Sequence, residues 1–283
     1  EPELAENPHN PLNLVGGSKF FTNIQHYQFK IGTYVSFDGG CTWTDGGVLP
    51  GFTNEPTTSD ISFGFGQQNT VYAAVLDTDN KNQSGLAVST SSDGGKTFGN
   101  AVAAYNDTTG TVFSDKPWLA VDDTNGPYSG SVYVVWSYDY DIYRGQNCNS
   151  NDIGCPQEVG FVKSTDGGKT FAAAKLIEGS APFCTNPTLY RIKNSHTCDA
   201  ALGATPVVLP DGTIAVMYAY IDVSNLQNIA TRILVVTSSD GGATWSAPVR
   251  VATVHDIPGR FPGENFRTAP LPAFAADPQT GQM

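Results

Sequence analysis

One phrase written four times constrains this chain more than any other feature. Ser36-Phe-Asp38-Gly-Gly-Cys-Thr42-Trp43 returns as Ser91-Ser-Asp93-Gly-Gly-Lys-Thr97-Phe98, as Ser164-Thr-Asp166-Gly-Gly-Lys-Thr170-Phe171, and as Ser238-Ser-Asp240-Gly-Gly-Ala-Thr244-Trp245. The aspartates stand 55, 73 and 74 residues apart. Recurrence at such a period means one supersecondary unit laid against copies of itself, so it outranks any local propensity. The phrase has the chemistry of a tight turn. Asp accepts hydrogen bonds from nearby backbone N–H groups, the glycines supply positive φ, and the Ser and Thr hydroxyls tie down further groups. The closing Trp or Phe packs a large apolar surface back under the hairpin. A catalytic group is not needed four times, so Asp38, Asp93, Asp166 and Asp240 are expected to be structural.

The flanks repeat too. Apolar or alternating runs precede each phrase (Lys30–Val35, Gly85–Ser89, Val159–Lys163, Ile233–Thr237). A second set lies before them (Asn13–Gly17, Val71–Leu76, Val132–Tyr138, Ile214–Ile221), and a third before that (Glu3–Asn7, Ile61–Gly66, Trp118–Asp122, Thr205–Leu209). A fourth follows each phrase (Gly47–Leu49, Ala101–Tyr105, Ala173–Ile177, Pro248–Val254). These runs are rich in Val, Ile, Tyr, Phe and Thr, turn dipeptides separate them, and none has helical periodicity. The pattern predicts an all-β fold of four-stranded antiparallel units repeated radially, a β-propeller, with the phrase between third and fourth strands. A solenoid of hairpins is the alternative, but its repeats run to only about 20–30 residues.

The expected blades are approximately 1–54, 55–113, 114–196 and 197–260, with a partial fifth at 261–283 whose inner strand would be Thr268–Asp277 and whose turn would be Pro278–Gly281. At about 67 residues per blade, six blades need roughly 400 residues. The 283 residues therefore read as one incomplete propeller domain of six or seven blades, completed by a longer or second chain.

Composition excludes several classes. Asp and Glu number 27 against 15 Lys and Arg, a net charge of −12, which does not suit a binder of nucleic acid. No apolar run nears the ~20 residues of a membrane helix. The chain opens on Glu1 and holds only Met217 and Met283, as a chain freed of a signal peptide would. Cys148 and Cys155 bracket one polar loop and Cys184 and Cys198 another, so two local disulfides, Cys148–Cys155 and Cys184–Cys198, and an oxidising, secreted or cell-surface location are expected. Cys41 is left over.

The fourfold phrase resembles the Asp box, or bacterial neuraminidase repeat, of the sialidase-like propeller superfamily. That resemblance spans essentially the whole chain and speaks for fold more than for activity. It implies sialidases, other propeller glycoside hydrolases, or non-enzymatic propellers such as the sortilin receptors. Sialidases clamp the substrate carboxylate with three arginines, the first in an Arg-Ile-Pro phrase ahead of the first box. Here no arginine precedes Arg144, and residues 1–35 carry only Lys19 and Lys30 as cations. Lysine lacks the bidentate fork, so a true exo-sialidase is disfavoured. Arg191-Ile192-Lys193 is similar only superficially.

Inner-strand starts converge near a propeller's axis, which directs attention to Asp60, Asp115, Lys116, Asp199 and Arg267, with Glu55, Trp118, His196 and Glu264 close in sequence. Asp60, Asp115 and Arg267 are the catalytic candidates, since paired carboxylates with a cation suit glycoside chemistry. Lys116, Trp118, Asp199 and Glu264 are the ligand-binding candidates. Asp77 and Asp79, in an oxygen-rich turn, could bind calcium, although Lys81 intrudes, and Asp139–Asp141 is a similar, weaker candidate; no other cofactor or metal is expected. The expected function is a secreted glycan-binding or glycoside-hydrolase-like propeller acting on a carbohydrate. The alternatives are a structural or adhesive surface propeller, or one that binds an extracellular protein or peptide.

Overall fold

The second strand of each unit is apolar almost throughout, so it must be covered on both faces, and the sheets achieve this by standing against one another. A computed structural model describes residues 2–52, 57–78, 84–108, 110, 112–140, 157–185, 196–222, 230–255, 257, 261–266 and 271–283. Sixteen strands form four antiparallel sheets, each in simple sequential order. The first holds β1 (Glu3–Asn7), β2 (Asn10–Asn23), β3 (Gln28–Ser36) and β4 (Thr44–Val48). The second holds β5 (Thr57–Phe65), β6 (Val71–Thr78), β7 (Ser84–Ser91) and β8 (Val102–Asn106). The third holds β9 (Val112–Val121), β10 (Val132–Tyr140), β11 (Gln157–Ser164) and β12 (Lys175–Leu176). The fourth holds β13 (Ala201–Val208), β14 (Ile214–Asp222), β15 (Ala230–Ser238) and β16 (Val249–Val254).

The core lies between sheets. Val15, Ile31 and Val35 meet Ile61, Phe63 and Val71; Leu76, Leu86 and Val88 meet Leu119, Val134 and Trp136; Tyr133, Val135 and Phe161 meet Val216, Tyr218 and Leu234. Each such side chain, fully buried, contributes about 1.5–3 kcal/mol. Outer strands are thin by contrast: β4 is exposed at every residue. Cys184 and Cys198, fully buried at the junction of the third and fourth sheets, form a disulfide.

The four turns between third and fourth strands share one geometry. Asp38 Oδ1 accepts from Ser36 Oγ at 2.8 Å and Thr42 N at 2.8 Å, Oδ2 accepts from Thr42 Oγ1 at 2.6 Å, and Gly40 N donates to Ser36 Oγ at 2.9 Å. Asp93, Asp166 and Asp240 repeat it. The second and fourth turns also hydrogen-bond to the preceding sheet. Asn13 Nδ2 donates to Gly94 O, Lys163 Nζ to Gly241 O and Lys175 Nζ to Gly242 O. Gly242, at φ +81°, sits so close to Phe161 that a Cβ there would strike the ring.

Several boundaries differ from expectation. The inner strands begin earlier, at Thr57, Val112 and Ala201 rather than Ile61, Trp118 and Thr205, because a bulge in each breaks the alternation that marks a strand. The fourth strand of the first sheet is Thr44–Val48, and that of the third shrinks to Lys175–Leu176. Residues 271–277 take no strand conformation, for no neighbouring strand pairs with them. Phe274 instead packs on Ala215, Met217 and Val235, and Gly281 N closes the expected turn onto Asp277 O at 2.8 Å.

Candidate functional site

The bulges that blur the inner strands also build the site. Opposite Val75 the chain places two residues, Asp60 and Ile61; opposite Trp136 it places Lys116 and Pro117; opposite Tyr218 it places Gly203 and Ala204. The first residue of each pair has positive φ: 52° at Asp60, 54° at Lys116 and 65° at Gly203. Glycine accepts that conformation freely, whereas a side chain strains it by about 1–2 kcal/mol. The second and third sheets hold a carboxylate and an ammonium where the fourth holds glycine. Strain of this kind collects at functional sites.

Strand register shows which residues are equivalent. Counting from the turn serine of each sheet, Glu3, Ser62, Trp118 and Thr205 occupy the same position, which in the last three sheets is just past the bulge. They converge. A cavity of about 250 Å³ is lined by Pro2 and Glu3, Asp60 and Ile61, Lys116 to Trp118, Gly203 to Thr205, and Leu271 and Pro272. Every inner strand contributes.

The cavity's charges sit in unlike settings. Asp60 is buried, with Oδ1 taking a 2.5 Å hydrogen bond from Ser59 Oγ and Oδ2 lying 3.2 Å from Lys116 Nζ. Lys116 Nζ is also 3.5 Å from Asp115 Oδ1. Lys19 Nζ donates to Ser59 Oγ at 3.3 Å. Among the described residues Glu3 has no such ion pair, and burial pushes its carboxyl up to about 7. Asp139, on β10 behind this group, is raised to about 7, first by burial and then by the Asp115 charge. A group near 7 is half protonated at neutral pH and can give or take a proton.

Of the sequence candidates, Asp60, Lys116 and Trp118 line the cavity, and Asp115 touches it through Lys116. Asp60 and Lys116 lie inside their strands rather than at the starts. Asp199 is buried at the junction of the third and fourth sheets, outside the cavity; its Oδ2 accepts from Thr197 Oγ1 at 3.0 Å, Oδ1 has no hydrogen-bond partner, and burial raises its pKa. Glu264 and His196 are exposed and do not line the cavity. Arg267, Glu55, Arg191, Asp79 and the pair Cys148–Cys155 lie outside the described residues. Asp77 ends β6 with a buried Oδ1. Among the described residues no cluster of three metal-ligating side chains occurs. Glu3 was not singled out from the sequence, and Asp139 only within the weaker calcium candidate Asp139–Asp141, of which Asp141 lies outside the described residues. The signal for Glu3 was a proline: Pro2 and Pro117 precede the equivalent positions Glu3 and Trp118, and proline has no ladder bond to donate.

No protein-family model matches the sequence, and comparison with curated proteins found no match. Solved structures do share the fold. An α-L-arabinofuranosidase from Fusarium graminearum superposes with a TM-score of 0.56 at 15% identity, over 88% of this chain and 64% of that one. An α-L-arabinanase from Penicillium chrysogenum, solved with arabinobiose, gives 0.52 at 15% identity over 87% and 63%. A Trypanosoma rangeli sialidase gives 0.52 at 14% identity over 88% and 37%. The chain is thus similar in fold to β-propeller glycoside hydrolases and spans less than two thirds of the length of these enzymes.

Proposed function

We propose that this chain is the site-bearing part of an extracellular propeller of glycoside-hydrolase type, which takes one uncharged sugar unit into the cavity on the inner-strand bulges. The observation that carries the reading is the convergence there of Glu3, Asp60, Lys116 and Trp118 on two strained backbone positions. Two carboxylates in unlike settings suit acid–base chemistry at a glycosidic bond, and an indole edge suits a sugar face. The size fits as well: the cavity falls below the roughly 300 Å³ at which pockets for drug-sized ligands begin.

Charge argues for a neutral sugar over a sialoside. Lys116 is the one cation among the described lining residues, and two aspartates already neutralise it. The described arginines are engaged elsewhere: Arg232 pairs with Asp222 and donates to Phe183 O, and Arg250 lies 5.7 Å over the Phe183 ring. An arabinosyl unit, as in the arabinobiose held by one similar enzyme, has the right charge. The buried Cys184–Cys198 bond supports an extracellular location.

The reading also includes further sheets beyond the first. Phe98, Phe171 and Trp245 pack into the core between sheets, whereas Trp43, at the same position of the first turn, is 44% exposed, and Leu12 and Tyr34 of the same sheet are exposed as well. Hydroxyl-radical footprinting of the natural protein is expected to find Trp43 as protected as Trp245; strong oxidation of Trp43 alone would count against an added sheet.

The test of function is turnover of a panel of 4-nitrophenyl glycosides, neutral and sialic, beside titration calorimetry with the free sugars. Cleavage of a neutral member, lost in Asp60→Asn and Lys116→Met, is expected. Neither cleavage nor binding of any member would end the reading; binding alone would leave a lectin.

A further inference from the structure

We propose that Glu3 is the proton donor of the cavity, a role that rests on the hydrolytic reading above. Glu3 and Asp60 are the two carboxylates of the described lining, and they come from neighbouring inner strands, β1 and β5. Their surroundings separate their duties. Asp60 is held as an anion by Lys116 and by the Ser59 hydroxyl, so it has no proton to give. Glu3 is set differently: Gly17 pairs with it on β2, it shares the cavity with Trp118, Thr205, Leu271 and Pro272, and the one cation of the described lining, Lys116, is paired with Asp60 instead. A carboxyl in that setting keeps its proton to higher pH, and it lies at about 7.

The position itself supports the role. Its equivalents are Ser62, Trp118 and Thr205, none of them ionisable in the neutral range. A glutamate whose desolvation disfavours its charged form adds nothing to the packing that serine or threonine would not supply. Proton donation is a use for which the same desolvation is an advantage.

In the step proposed, the Glu3 carboxyl proton passes to the glycosidic oxygen. The bond from the anomeric carbon to that oxygen breaks, its electron pair stays on oxygen, and the aglycone leaves as a neutral alcohol. Water bonds to the anomeric carbon and gives a proton to the Asp60 carboxylate. Asp60 then releases that proton to solvent, and Glu3 takes one back. The products are the free sugar and the alcohol, with no oxidant or reductant required.

The test compares Glu3→Gln with wild type on two substrates of whichever sugar the wild type cleaves, its disaccharide and its 2,4-dinitrophenyl glycoside. The dinitrophenolate leaves without protonation, so the two substrates differ in their need for the acid. Glu3→Gln is expected to lose on the order of 10²–10⁴ in kcat/KM on the disaccharide. On the dinitrophenyl glycoside the loss should stay under about tenfold, which also shows that the variant is folded, and the basic limb of the rate profile near pH 7 should disappear. The other groups facing the cavity are Asp60, Lys116 and, through Ser59, Lys19, with Asp115 and Asp139 behind; Asp139→Asn is expected to leave the Glu3 limb in place. Equal losses on both substrates, or a persisting basic limb in Glu3→Gln, would remove Glu3 from the role while leaving hydrolysis intact. A wild type that cleaves no glycoside would remove both.

Discussion

Carboxylates stand at both ends of the four sheets, and their settings are opposite. At the turn end, Asp38, Asp93, Asp166 and Asp240 sit within reach of solvent and accept several hydrogen bonds each. Thr42 hydroxyl and amide, then Ser36, hold Asp38 down to about 2. Asp166 and Asp240 lie lower still for the same reasons, and at Asp93 partial burial is the largest single effect but is outweighed by Thr97, Ser91 and the Lys96 amide. Toward the other end, Glu3, Asp139, Glu178 and Asp199 are all raised, with burial the first cause in each. One residue class thus serves two purposes. Where donors outweigh burial, it fixes a loop; where burial outweighs the donors, its pKa rises, at Glu3 and Asp139 to about 7. A carboxylate whose donors are all supplied by its own turn has nothing left for a ligand. The site follows from the end where the accounting is incomplete.

The strongest way to break this comparison is to attack the turn end where it meets the next sheet. Gly242→Ala would place a methyl against Phe161 at φ +81°. Left-handed strain and overpacking together should destabilise by about 3–5 kcal/mol. Gly40→Ala, in the first turn, meets Leu14 at 3.3 Å and Trp43 at 3.8 Å, neither of them from another sheet, so about 1–2 kcal/mol is expected. Urea unfolding of the two variants measures the difference, and equal losses would mean that the turns do not couple sheets.

At the other end, removing a charge should stabilise. Asp139 has a pKa of about 7 when folded and an ordinary 3.8 otherwise, so its ionisation weakens the fold as pH rises through that window. Asp139→Asn is therefore expected to gain up to about 4 kcal/mol at pH 8 and to gain little at pH 4. Thermal melts at the two pH values check it; destabilisation at pH 8 would show that Asp139 is held as an anion.

A smaller effect isolates the backbone strain. Lys116→Gly and Lys116→Ala both remove the contacts to Asp60 and Asp115, but only glycine relaxes φ 54°. Glycine should be the more stable by about 1 kcal/mol, against the order expected of an ordinary strand. The reverse order would mean that Lys116 carries no strain, and would remove that argument for the site.

What the sequence discloses divides along the same line. The repeated phrase and the apolar second strands are local patterns, and they were enough to place sixteen strands in four sheets. Asp60 and Lys116 were legible because they stand beside inner-strand runs. Glu3 and Asp139 were not, since their significance lies in register and in neighbours from other strands: nothing near Glu3 in the chain announces that it shares a position with Trp118. The bulges hid the first residues of three inner strands, because an extra residue shifts the alternation by one and makes a continuous strand look like a loop followed by a shorter strand.

The smallest expected effect belongs to a turn aspartate, and its sign is the reverse of Asp139. The Asp38 carboxyl is depressed in the folded chain, to about 2 from 3.8, so it supports the fold fully above the higher value and loses that support as pH falls through the lower. Asp38→Asn keeps one acceptor oxygen but replaces the other with a donor facing Thr42. Its melting temperature should lie below wild type at pH 7, and the gap should narrow between pH 4 and pH 2 as the wild-type carboxylate takes up its proton. The exposure of Asp38 keeps this gap the least of the four, because water screens the charge that Thr42 and Ser36 hold. A gap that stayed constant to pH 2 would assign the loss to altered turn geometry, and the contrast between the two ends would then be one of packing alone.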